Sequence, residues 1–279
     1  MSMQMPGMLY LVATPIGNLG DISLRAIETL RQVDFIAAED TRVTLKLLNF
    51  LEIKKQLVSF HEHSSRESGE KILTRILNGE SCALVTDAGM PCISDPGEDI
   101  TRMCGEAGVT ITVIPGPCAA VTALALSGLP SGRFVFEGFL STARKSRFER
   151  LEELKTEERT MIFYEAPHKL MRTLHDMLNA FGDRRVSISR ELTKLFEETR
   201  RFTLSEAVSH FEESPPRGEF VLIIEGTQKS PVSTLPINDA VSMTKKYIES
   251  GLSVKDAVKT VAEQTGVSKN TLYNAVIKE

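Results

Sequence analysis

From Leu9 to Ile114, short runs of β-branched and aliphatic residues alternate with stretches whose apolar positions recur every three or four residues, and this alternation restricts the fold more than any other feature. The runs Leu9–Thr14, Val33–Glu39, Gln56–His61, Ser81–Thr86 and Thr110–Ile114 predict strands. Between them, Ser23–Gln32, Thr41–Leu51, Glu67–Asn78 and Glu98–Ala107 predict helices, with Leu24, Ile27 and Leu30, or Ile72, Leu73, Ile76 and Leu77, on one face. Strands joined through helices pair in parallel, so the spacing predicts an α/β fold with a largely parallel sheet. Ligands of such sheets bind beyond the carboxyl ends of the strands, which gives weight to the residues just after each run.

The rhythm changes after Gly128-Leu129-Pro130-Ser131-Gly132, a turn-forming stretch suited to a domain boundary. Strands are expected at Arg133–Leu140, Thr160–Ala166, Arg185–Leu192 and Glu219–Glu225, and helices at Arg147–Leu154, His168–Phe181 and Leu204–Phe211. Thr227–Pro236 reads as a linker. Beyond it, Val254–Gln264, a turn at Thr265-Gly266 and Ser268–Ile277 have helix-turn-helix spacing. Lys255, Lys259, Lys269 and Lys278 against Asp256, Glu263 and Glu279 suit contact with nucleic acid and simple packing equally. The expected organisation is an α/β domain over 1–128, a second over 133–226 and a helical tail over 237–279, and 279 residues suffice for it at a soft prior of ~150 per domain.

Charge removes further classes. With 33 Lys and Arg against 37 Asp and Glu, a net of -4, the chain is no passive polycation. No apolar run approaches the ~20 residues of a membrane span, and Met1 to Gly7 lacks the basic start and apolar stretch of a signal peptide, so a cytoplasmic chain without a membrane partner is expected. Within 141–201, fourteen basic residues face eleven acidic ones, so the plausible phosphate footprint lies in the second domain, around Arg144, Lys145, Arg147, Arg150 and Arg190. A solvated helix face explains that cluster almost as well.

Three loops on one sheet edge carry small, turn-forming residues: Thr14 to Asp21, Thr86 to Gly97 and Ile114 to Ala120. The first has neither Gly-x-x-x-x-Gly-Lys nor Gly-x-Gly-x-x-Gly, which excludes the standard nucleotide loops. Small residues there admit a ligand to the backbone, and together the loops predict a small-molecule pocket. Cys82, Cys92, Cys104 and Cys118 form no Cys-x-x-Cys pair and lie apart from histidines, so no zinc site is expected. Glu39 and Asp40, after the second strand, are candidate general bases, although Asp40 before Thr41 also suits a helix cap. His61 and His63 compete with them, while Tyr164, Glu165 and His168 suit either a site or packing.

Leu9 to Leu19 (Leu-Tyr-Leu-Val-Ala-Thr-Pro-Ile-Gly-Asn-Leu), Ala37 to Arg42 (Ala-Ala-Glu-Asp-Thr-Arg), Thr86 to Pro91 (Thr-Asp-Ala-Gly-Met-Pro), Ile114 to Pro117 and Phe163 to His168 together resemble the tetrapyrrole-methylase superfamily. They are most similar to its ribosomal branch, which methylates the 2'-hydroxyl of a cytidine in small-subunit (16S) rRNA. The resemblance runs from Leu9 to Gly226, and the tail resembles that branch's appended helix-turn-helix. It implies an S-adenosylmethionine (AdoMet) enzyme that needs no metal, with two α/β domains, the cofactor in the cleft between them, a homodimeric state, and rRNA or the assembled small ribosomal subunit as partner. By position, Ile16, Asp87, Gly89, Met90, Pro117, Cys118, Ala119, Tyr164 and Phe220 would hold the cofactor. Asp40, Glu39 or His61 would assist deprotonation, and Arg42, Arg144, Lys145, Arg147 and Arg190 would meet RNA. Cys118 stands where relatives often carry Ser, and Val43 where His is expected. Two other readings stay open: a methyltransferase for a tetrapyrrole or other small molecule, and a metabolite-sensing helix-turn-helix regulator.

Overall fold

The structure is a computed structural model that describes residues 7–61, 66–228 and 235–278. Strands β1 (Met8–Val12), β2 (Phe35–Ala38), β3 (Gln56–Ser59), β4 (Cys82–Val85) and β5 (Thr110–Ile114) form a parallel sheet in the order β3-β2-β4-β1-β5. Helices cover both faces, so β2 and β4 are apolar and buried at every residue rather than alternating. α1 (Leu24–Gln32) and α2 (Thr41–Phe50) pack against Ile36, Ala38, Ala83 and Val85. α3 (Arg66–Leu77) and α4 (Glu98–Glu106) pack against Phe35, Ala37, Cys82 and Leu84, the residues that the pleat turns the other way. Ser23 starts α1 by accepting the Ala26 N–H at 3.1 Å, as its place before the periodic run requires.

The second sheet joins β6 (Phe134–Phe139), β7 (Thr160–Glu165), β8 (Arg185–Arg190), β9 (Glu198–Thr203) and β10 (Phe220–Ile224) in the order β6-β7-β10-β8-β9. β6 and β7 run parallel; the other neighbours are antiparallel. α6 (Arg144–Leu154), α7 (Pro167–Phe181) and α8 (Leu204–Glu213) supply a core with Met161, Phe163, Ile188 and Leu222. The opposite face, with Ile162, Val221 and Ile223, is covered by α5 (Ala119–Ser127) through Ala120, Ala123 and Leu124. Arg201 of β9 holds the end of that helix, donating to the carbonyls of Leu126 and, at 3.0 Å, of Ser127. Although α5 precedes the turn-rich 128–132 stretch, its packing belongs to the second sheet, and both sheets lie in one compact unit that ends at Gly226.

The second unit contains α9 (Ile237–Glu249), α10 (Val254–Thr265) and α11 (Lys269–Lys278) around Ala240, Val241, Val258, Val261 and Leu272. Ser253 caps α10, and Gly266, at φ +68°, ends it in the left-handed conformation that glycine adopts without strain. Residues 229–234 of the expected linker, together with Glu62 and His63, lie outside the described residues. Among the described residues no helix is long and apolar enough to cross a membrane.

Candidate functional site

The loops after β1, β4 and β5 converge because backbone hydrogen bonds tie them together. Thr14 and Gly89 exchange N–H···O bonds of 2.9 and 3.1 Å, and the Thr14 hydroxyl donates to the Thr86 carbonyl at 3.1 Å. Gly89 sits at φ +97°, where a Cβ would touch Ile16, and a Cβ on Gly116 would lie 2.9 Å from that of Ala13. From the second sheet, the Tyr164 hydroxyl accepts the Ala120 N–H at 3.1 Å and so fixes the first turn of α5. Its ring meets Phe136 and Phe139 edge-on, with centroids 5.2 and 5.5 Å away. Burial keeps the Tyr164 phenol protonated well above its ordinary range.

These elements enclose a cavity of about 550 Å³ between the loops of the first sheet and the strands of the second. Of the residues expected to hold a cofactor, Ile16, Gly89, Met90, Cys118, Ala119, Tyr164 and Phe220 line it. Asp87 and Pro117 are not among the residues that line it. The Asp87 carboxylate accepts the Asp40 N–H at 3.1 Å, and the Pro117 carbonyl faces Gly89. Phe139, His168, Leu192, Val221 and the carboxylates Glu165 and Glu219 also line it.

A second chamber, of about 590 Å³, opens beside the first; Glu39, Phe60, His61, Arg66 and Arg102 line it. Ser94 and Asp95 line both. The loop that carries them has Cys92 and Ser94 at φ +68° and +64° and Gly97 at +136°, and left-handed residues other than glycine collect at functional sites. Burial, with the Glu39 and Asp87 carboxylates nearby, pushes Asp95 up to about 7. The sequence reading passed over Asp95 as a site residue; the available signal was its place in Ser94-Asp95-Pro96-Gly97, on the same small-residue loop as Asp87.

The three candidate bases have separate fates. Asp40 caps α2, accepting the Arg42 N–H at 2.8 Å, and clasps the Arg42 guanidinium at 2.6 and 3.0 Å, contacts that hold its carboxyl down to about 2. A carboxylate so engaged is a weaker proton acceptor than an unengaged one, which weighs against Asp40 as base. Its partner Arg42 nonetheless has a side chain that is 87% exposed. Glu39 accepts the Asp87 N–H at 3.3 Å and, like His61, lines the larger chamber.

Of the basic residues, Arg147 requires correction. It is buried, with its Nε 2.7 Å from Asp176 and Nη1 donating to the Ser141 and Thr142 carbonyls, so it braces α6 on α7 and cannot reach a phosphate. Much of the surrounding positive charge is likewise engaged within the protein: Arg150 with Glu137 and Glu153, Arg185 with Glu225, and Lys194 with Glu191 and Glu219. Arg190 is half-buried with Glu198 at 3.7 Å. Arg144 lies over the Phe148 ring at 5.4 Å, and Lys145, 88% exposed, meets Glu149 only at 3.9 Å.

Comparison with known proteins gives this geometry a context. Residues 8–208 match the family of tetrapyrrole (corrin/porphyrin) methylases, and residues 248–279 match the RsmI C-terminal HTH domain. The chain is 48% identical over 276 residues to ribosomal RNA small subunit methyltransferase I of Halalkalibacterium halodurans, covering 98% of this chain and 96% of that protein. It is 44% identical to the Escherichia coli O157:H7 protein of the same name, with the same coverage. The Thermotoga maritima protein of that name is 48% identical and is matched along its whole length by 80% of this chain. Among solved structures, the methyltransferase CobJ superposes with a TM-score of 0.60 at 16% identity, over 79% of this chain and 95% of that one. Uroporphyrin-III C-methyl transferase from Thermus thermophilus, complexed with S-adenosyl homocysteine, gives 0.55 at 18% identity, over 78% and 97%.

Proposed function

This chain belongs to the family of tetrapyrrole (corrin/porphyrin) methylases, and from that premise we propose that it transfers the methyl group of AdoMet to the 2'-hydroxyl of a cytidine in small-subunit (16S) rRNA. The observation that carries this reading is the 550 Å³ cavity closed by loops of one sheet and strands of the other. Its shape and chemistry suit AdoMet. Gly89 leaves a cradle where a side chain would meet Ile16, and aliphatic and aromatic groups line most of the wall. At the α5 start, Cys118 and Ala119 line the cavity without a side-chain cap, so the positive end of the helix suits an anionic or polar group of a ligand. A carboxylate, Asp95, stands where positive charge arrives.

When bound, the cofactor supplies an electrophilic methyl group, and the protein supplies alignment and exclusion of water. Tyr164 holds the α5 turn, Met90 and Phe139 shield the cavity, and the Thr14–Gly89 pairing keeps the two central loops in register. The name shared by relatives 44–48% identical over nearly the whole chain favours rRNA over a tetrapyrrole, because the tetrapyrrole enzymes are alike in fold at 16–18% identity. Arg42, Arg144, Lys145, and Lys255 and Lys259 of the helical tail supply exposed positive charge for RNA. Exposed apolar residues on α5, Val121 and Leu126, support a homodimer. Nucleoside analysis of small-subunit rRNA from a strain lacking the gene tests the reading. Loss of one 2'-O-methylcytidine, restored by the gene, is expected, and unchanged rRNA methylation overturns it.

A further inference from the structure

We propose that Asp95 is the group that takes the proton from the reacting ribose hydroxyl, with the cofactor in the 550 Å³ cavity and the target ribose in the adjoining 590 Å³ chamber. The inference rests on the functional reading above and names the catalytic residue that reading leaves open. Its basis is position: Ser94 and Asp95 line both chambers, which puts Asp95 at the wall that the two share. The loop that presents it is closed on itself by hydrogen bonds from Cys92 N–H to the Pro96 carbonyl and from Ile93 N–H to the Met90 carbonyl, both 3.4 Å.

None of the other carboxylates that line the two chambers lines both. Asp40 is bound to Arg42, and Asp87 accepts the Asp40 N–H. Glu165 is buried on Thr173 Oγ1 at 2.5 Å and the Ala166 N–H at 2.8 Å, and Glu219 pairs with Lys194. Glu39 accepts the Asp87 N–H and lines only the ribose chamber, as does Glu98, exposed in the first turn of α4. Asp99 and Glu106 pair with Arg102 on α4. A general base works best when its pKa lies near the operating pH, and Asp95, facing Glu39, Asp87 and the Tyr164 phenol, is held near that range. In the step, the ribose oxygen bonds to the methyl carbon, the electron pair of the broken C–S bond stays on sulfur, and the hydroxyl proton passes to Asp95 and on to water.

The test compares wild type, Asp95→Asn, Asp95→Glu and His168→Asn as full-length chains. AdoMet titrated calorimetrically near pH 6.5, in buffers of different ionisation heat, should release protons from wild type, because positive charge beside Asp95 favours its ionised form. Asp95→Asn should abolish that release and weaken AdoMet binding by no more than about tenfold, the coupling that a shift of one pKa unit implies. On small ribosomal subunits from the deletion strain, Asp95→Asn should lose about 10²–10⁴-fold in kcat and the acidic limb of the pH profile, and Asp95→Glu should restore part of both. Asp95→Glu also serves if the amide variant fails to fold, since a mere packing role predicts no shift of the limb. Wild type that does not methylate small-subunit rRNA overturns the functional reading. Wild type that does, beside an Asp95→Asn that keeps its rate and acidic limb, or a limb lost with His168→Asn instead, overturns the assignment of Asp95.

Discussion

Replacing Arg147 by alanine leaves the Asp176 carboxylate without its cation at the α6–α7 contact, and breaking such a buried pair costs about 3–5 kcal/mol. Thermal unfolding should fall by on the order of 10 °C. RNA binding measured below that transition should keep its salt dependence, whereas a flattened slope would return Arg147 to the phosphate footprint. Asp95 gives a pH test of opposite character. Its folded pKa lies near 7, above the unfolded value near 3.8, so the folded state binds more protons between those limits and stability falls as pH rises through that window. The advantage of Asp95→Asn in melting temperature should therefore be full above about pH 7 and vanish towards pH 4. An advantage independent of pH would contradict the burial of that carboxylate. At this scale the sequence was informative about the cavity wall, since Gly89, Met90 and Cys118 stand where small loops after strands put them. It was misleading about charge. Arg147 and Arg150 look like a surface cluster in one dimension, and only the fold shows Asp176 and Glu137 facing them.

The elements of the first sheet were legible because burial on both faces leaves long apolar runs, and β5 begins and ends at the residues expected. Two elements of the second sheet were not. α5 (Ala-Ala-Val-Thr-Ala-Leu-Ala-Leu-Ser) is apolar all round, which erases the 3.6-residue rhythm, and the edge strand β9 (Glu-Thr-Arg-Arg-Phe-Thr) carries charge where alternation is sought. In the second sheet only β6 and β7 pair in parallel, and no periodicity in the sequence announces the antiparallel neighbours β8 and β10. The β4–α4 loop offers an element-scale prediction. A Cβ on Gly97 would sit 2.7 Å from both the Leu84 methyl and the Cys92 sulfur, at a φ of +136°. Gly97→Ala should destabilise the chain by about 1–3 kcal/mol and weaken AdoMet binding by displacing Asp95 and Ser94. Denaturant titration and calorimetry check both; unchanged binding would mean that this loop does not shape the cavity.

At the scale of the whole molecule, the helical tail and the oligomeric state carry the remaining expectations. Removing 237–279 should leave AdoMet binding intact and lower the slope of log K against log salt by about 0.7–0.9 for each lost phosphate contact. An unchanged slope would confine the tail to packing, a role compatible with the shorter Thermotoga maritima relative. Sedimentation should give twice the 30.9 kDa of one chain, and Val121→Asp, which places a charge on the exposed apolar face of α5, should shift it to one. The most direct measurement is methyl transfer itself. Purified full-length protein is incubated with methyl-labelled AdoMet and small ribosomal subunits from the deletion strain, and the rRNA is digested to nucleosides and resolved by mass spectrometry. Label recovered in 2'-O-methylcytidine is the result this account predicts, and label on a nucleobase, or none in rRNA while a tetrapyrrole is methylated, would contradict it.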